Sequence, residues 1–151
     1  MNLVKLDMQD ERVIGFLWRY IEPCDFRWDY TRLDAMKELE IMVEKGFCQL
    51  WGDMDIPIVF RCSTPNPKTL EPHIMGDGRY IREGLELGSA LAWSLGFELL
   101  RIWTQHEKIA RIVEHCGFVR ESILRKQWMG PSGELFDVHT LILERSNPCN
   151  T

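Results

Sequence analysis

The sequence predicts one mixed α/β (α+β) domain over residues 1–151, a central sheet carrying helices. Three observations predict it. Apolar residues recur at helical spacing in some stretches and cluster or alternate in others, giving the order β-α-α-β-β-β-α-β-α-β-β. A chain of 151 residues suits one domain, which at this size buries roughly two thirds of its unfolded surface. Finally, Glu71 to Gly117 reads as strand, Gly-rich turn, helix, strand, helix. That is the unit in which a strand end and a helix N-terminus together hold an anionic cofactor.

Each element has its own signal. Residues 2–7 (NLVKLD) form a short first strand. From Gln9 to Tyr20, Val13, Ile14, Phe16, Leu17 and Tyr20 recur at helical spacing until Glu22-Pro23 stops them. Asp25 to Tyr30 is an aromatic, charged connector, and Arg32 to Lys45 is a second helix closed by Lys45-Gly46. Phe47 to Trp51 reads as a strand and Gly52-Asp53 as a turn. Ile56 to Cys62 is a strand with Pro57 near its start, and Ser63 to Pro67 is a loop. Thr69 to Met75 is the next strand, followed by the Gly76-Asp77-Gly78 turn and a helix with Leu85, Gly88, Ala92 and Leu95 on one stripe. Leu99 to Thr104 is a strand, and a shorter amphipathic helix ends at Cys116-Gly117. Val119 to Met129 and Glu134 to Glu144 are strands around a Gly130–Gly133 turn, with Phe136, Val138, Thr140 and Ile142 on one face; Arg145 to Thr151 is a tail.

Composition narrows the function classes. Hydrophobic residues make up 45% and charged residues 27%, ordinary for a globular protein. No apolar run approaches the roughly 20 residues that span a bilayer, and the N-terminus lacks the pattern of a secretory signal. A cytoplasmic location with no membrane partner is the expectation. The net charge of −5 offers no overall attraction to nucleic acid. Five scattered cysteines without CxxC, and four histidines without HxxxH or HExxH, argue against a disulfide framework and a metal site.

The order of elements resembles that of the GNAT superfamily of N-acetyltransferases, and the second half carries the resemblance in residues. Ala110-Arg111-Ile112-Val113-Glu114-His115-Cys116-Gly117-Phe118 is similar to that family's helix-to-strand signature ending in Gly-Phe. Val119 to Arg125 and Gly133-Glu134-Leu135-Phe136-Asp137 resemble its ribosomal-protein acetyltransferase branch, where GF-x-x-E-G-x-L-R and D-G-x-x-x-D recur. The likeness covers residues 69–145 well and residues 1–68 through element order alone.

The resemblance implies a GNAT-like mixed central sheet whose acetyl-CoA-binding core lies at about 69–145. It implies transfer of an acetyl group from acetyl-CoA to a primary amine of a protein or small molecule by direct attack, without a metal. The family's cofactor loop, Q/R-x-x-G-x-G/A, matches Glu83-Gly84-Leu85-Glu86-Leu87-Gly88, with Ser89 following. By that match Arg82, Gly84, Leu87, Gly88 and Ser89 surround the pyrophosphate, glycine allowing backbone N–H groups to approach it. Glu83 and Glu86 depart from the pattern; as first-turn carboxylates they equally suit a helix dipole. The backbone between His73 and Gly78, including Ile74 and Met75, is implied to hold the thioester. His106 falls where the family carries a cofactor-contacting Asn, though a helix cap is an equal reading, and Val113 falls where many members carry a proton-donating Tyr. Tyr80, Ser122 and Cys116 are the other candidates for that acid.

For a base, Glu71 and His73 share one face of an extended segment. The reaction needs a group that takes a proton from an ammonium near neutral pH, which suits imidazole as a type. A surface Glu and a hydrogen-bonded core His are the alternative roles. A second function class also stands: a catalytically degenerate GNAT-fold protein that binds and modulates a protein partner, with or without CoA. A monomer or homodimer is expected.

Overall fold

The structure, a computed structural model, describes residues 3–53 and 55–146. In chain order it runs β1 (Val4–Lys5), α1 (Glu11–Tyr20), a 3₁₀ turn (Pro23–Asp25), α2 (Arg32–Glu44), β2 (Gln49–Asp53), β3 (Ile58–Asn66) and β4 (Thr69–Gly76). A second 3₁₀ turn (Gly78–Tyr80) leads into α3 (Ile81–Ser94), β5 (Leu99–Thr104), α4 (Glu107–His115), β6 (Val119–Met129) and β7 (Leu135–Glu144). The order of strands and α-helices is the one the sequence predicts. Caps explain the two helix starts near the N-terminus: Asp10 accepts from Arg12 N–H at α1, and Thr31 with Asp34 forms a capping box at α2.

One seven-stranded sheet holds the chain, in the order β1-β2-β3-β4-β5-β7-β6. Alternate strand residues feed two cores on its opposite faces. Phe60, Leu70, Leu100 and Leu141 pack with Leu85 and Ala92 of α3 and Ala110 and Val113 of α4. Leu50, Val59 and Met75 pack with Val13 and Leu17 of α1 and Leu39 of α2. Fully buried side chains such as Leu17 and Phe60 contribute roughly 1.5–3 kcal/mol each. On the far side, Arg120 of β6 clamps α4 to the sheet, its guanidinium donating to Glu107 and Glu114. Arg120, with help from Arg111, holds the Glu107 carboxyl down to about 2.

The ends of β2 and β3 differ most from expectation. Gly52 and Asp53 belong to β2 and are not a turn; at Gly52 a Cβ would stand 3.0 Å from Leu6, so the glycine lets the chain before α1 pack closely. β3 continues through Ser63–Asn66, read above as loop. Pro65 is tolerated because β2 pairing ends at Cys62 and the register with β4 shifts between Ser63 and Asn66.

The decisive feature is the seam between β4 and β5. These parallel strands pair only at Thr69–Leu99 and Leu70–Leu100, although β4 continues to Gly76 and β5 to Thr104. Pro72 accounts for the parting. It pairs with Cys62 of β3, and a proline inside such a ladder must turn its missing N–H to the strand's other side, toward β5. The rung that would extend the seam has no donor. Backbone direction alternates along a strand, so the polar groups of Ile74 and Gly76 face the same gap.

Candidate active site

Where β4 and β5 part, a cleft of about 310 Å³ opens. Its walls are Pro72 to Gly78 and Ile102 to His106 from the two strand ends, Ile81 and Leu85 from α3, and Ile109 and Val113 from α4. Arg19 and Tyr20 at the end of α1, with Glu22 and Asp25 from the connector, complete it. The apolar side chains suit an extended organic chain, and the unpaired strand groups can bond its amides.

A carboxylate–imidazole pair stands in this cleft. His73 Nε2 lies 2.9 Å from Asp25 Oδ2, and the Asp25 side chain is only 8% exposed. The pairing selects a tautomer: Nε2–H donates to the carboxylate, and Nδ1 keeps the lone pair that can take a proton. The Trp103 ring, 5.6 Å away and tilted 36°, packs beside the imidazole. Glu71 shares that strand face but has a different partner. It accepts from Arg101 Nη1 at 3.2 Å, and Arg101 Nε lies 3.6 Å from Glu121. Burial raises the pKa of the Cys24 thiol, next to Asp25, and Asp25, Glu22 and Glu134 raise it further.

The approach to α3 is built differently. Gly76 has φ +147°, and a Cβ there would run into the Pro57 carbonyl oxygen, so only glycine closes this corner. Asp77 then caps the 3₁₀ turn, its Oδ1 accepting from Arg79 N–H at 3.0 Å. The Arg79 side chain folds back on the same carboxylate at 2.6–3.1 Å and holds Asp77 down to about 2. Gly84 and Gly88 do not belong to a loop, which corrects the window read above. Both lie inside α3, where a Cβ would stand 3.3 Å from Ile58 or 3.2 Å from Phe60; they are packing glycines that seat the helix on the sheet.

No protein-family model matches the sequence, and no curated protein does. Solved structures do match. Spermidine N-acetyltransferase from Vibrio cholerae superimposes with a TM-score of 0.68 at 17% identity, over 99% of this chain and 96% of its own. A probable acetyltransferase of the GNAT family from Chromobacterium violaceum gives 0.68 at 15% identity, over 94% and 86%. The fold is the GNAT fold.

Within it, the residues expected to act divide cleanly. His73, Ile74, Met75, Gly78 and His106 line the cleft. Ile74 reaches it by its backbone, whereas Met75 turns its side chain into the α1/α2 core. Glu71, Arg82, Gly84, Leu87, Gly88 and Ser89 do not line it. The Ser89 hydroxyl donates to the Leu85 carbonyl within α3, and Arg82, Glu83 and Glu86 are exposed on that helix. His106 precedes α4, its N–H bonded to Thr104 Oγ1 and its side chain making no cap. Val113 is 1% exposed on the cleft floor. None of Tyr80, Ser122 and Cys116 lines the cleft, whereas Tyr20 does. Tyr20 and Asp25 are the residues sequence reasoning missed. Their only signal was a polar tip on an apolar helix stripe and a carboxylate just after Pro23.

The gap fits the pantetheine arm of a CoA thioester: two unpaired strand positions and apolar walls. The 3₁₀ turn before α3 does not fit its pyrophosphate, because the Asp77 carboxylate already accepts from the Arg79 N–H there.

Proposed function

We propose that the cleft carries out N-acetyl transfer from acetyl-CoA to a primary amine of a protein or small molecule. The observation that carries this reading is the half-buried Asp25–His73 pair standing beside a strand gap whose backbone groups are free. In this mechanism His73 Nδ1 takes a proton from the acceptor ammonium, and Asp25 stabilises the imidazolium. The neutral amine attacks the thioester carbonyl, a C–N bond forms, and a tetrahedral oxyanion develops against strand N–H groups such as that of Gly76. The C–S bond breaks, and the leaving thiolate takes up, through water, the proton that the new amide nitrogen sheds. Glu71, bound to Arg101, is the weaker candidate for base. Likeness to the ribosomal-protein branch stays with the sequence of β6 and β7 and favours a protein amine.

Calorimetric titration with acetyl-CoA, followed by thiol-release assays across an amine panel, tests the proposal. Micromolar binding with amine-dependent thiol release supports it. A folded protein that gives neither heat at millimolar ligand nor thiol release sinks it. That outcome favours the second reading, a degenerate GNAT-fold protein that docks on a partner, to which the carboxylate at the α3 approach already points.

A further inference from the structure

We propose that this cleft recognises its donor by the acyl-pantetheine arm alone, without binding energy from the nucleotide half of CoA. The inference rests on the reading of the cleft as an acyl-transfer site.

A pyrophosphate needs free backbone N–H groups and uncommitted positive charge where the chain turns into a helix. At the 3₁₀ turn that leads into α3, the protein itself takes up both. Asp77 N–H donates to the Pro57 carbonyl, Arg79 N–H to the Asp77 carboxylate, Tyr80 N–H to the Asp77 carbonyl, and Ile81 N–H to the Gly78 carbonyl. The turn's own guanidinium, Arg79, spends Nε and Nη2 on Asp77, and Arg82 on α3 is followed directly by Glu83. Glu83 in the first turn of α3 adds a further negative charge at that helix start. An incoming pyrophosphate would have to displace a carboxylate and face another.

The arm's environment is the reverse. Ile74 and Gly76 offer unpaired backbone groups between the strands, and Ile81, Leu85, Ile102 and Ile109 line the walls with apolar surface. The shared chemistry of the donor is therefore an acyl thioester of pantetheine, presented free or on the phosphopantetheine of a carrier protein.

The test uses the whole chain and three thioesters: acetyl-CoA, S-acetylpantetheine and an acetylated phosphopantetheine carrier protein. S-Acetylpantetheine is expected to bind within about tenfold of acetyl-CoA, and adenosine 3′,5′-bisphosphate not to compete. Acetyl-CoA binding more than about tenfold tighter overturns the inference and leaves the acyl-transfer reading standing. Binding of none of the three overturns both. Tighter binding of the carrier than of S-acetylpantetheine assigns the source to a carrier; equal binding assigns it to the free thioester; both support the proposal. Asp77→Asn keeps a capping oxygen and removes the charge. It is expected to tighten acetyl-CoA several-fold and leave S-acetylpantetheine unchanged; no change in either shows that Asp77 is not the barrier and overturns the inference.

Discussion

The two ends of the cleft are built on opposite electrostatic plans. At the His73 end, a buried carboxylate is spent on orienting a base, and strand groups are left open. At the α3 end, a carboxylate and a guanidinium satisfy each other and the turn closes on its own N–H groups. The same residue type thus prepares one end for chemistry and seals the other against an anion. Fold alone distinguishes neither; partner choice does.

Five substitutions sharpen or break this contrast. His73→Gln removes the proton acceptor and keeps a hydrogen-bonding side chain; amine-dependent thiol release should fall by about 10²–10⁴-fold with donor affinity unchanged. A loss below about fivefold would remove His73 from the chemistry, and Glu71→Gln measured in parallel would then show whether Glu71 takes its place. Gly76→Ala meets both a left-handed backbone and the Pro57 carbonyl, so thermal melting should reveal a loss of about 3 kcal/mol. Pro72→Ala returns an N–H to the seam and lets β4 and β5 pair one rung further. Donor affinity measured by calorimetry should weaken by about tenfold, and an unchanged affinity would mean that proline does not hold the gap open. Glu86→Gly has the smallest effect. Being exposed inside α3, it should cost about 1 kcal/mol of stability and leave acetyl-CoA binding unaltered. Tighter binding would return Glu86 to a cofactor loop.

The sequence makes the succession of elements legible because local periodicity writes it, as at Leu99 to Thr104, where strand and expectation coincide. Boundaries fail where tertiary pairing decides. Pro65 looks like a breaker until β2 is seen to end before it, and Gly52 looks like a turn until Leu6 is seen against it. The site divides in the same way. That Glu71 and His73 share a face follows from strand alternation. That one meets Arg101 and the other Asp25 depends on chain segments far apart in sequence. Gly84 and Gly88 mislead because glycine serves close packing as readily as anion binding, and only Ile58 and Phe60 reveal which.

The seam two rungs long has a mechanical consequence. The ladder joining β1 to β4 with β5, β7 and β6 is two rungs long, Thr69–Leu99 and Leu70–Leu100, with the Glu71–Arg101 and Lys68–Glu98 ion pairs beside it, so the two blades of the sheet are tied least there. An amide chain lodged beside Ile74 and Gly76 would act as the absent strand, crossing from one blade to the other. The donor would then be a structural member as well as a reagent. Hydrogen exchange at those two amides should slow on binding, and the flexing of the blades should stiffen with it.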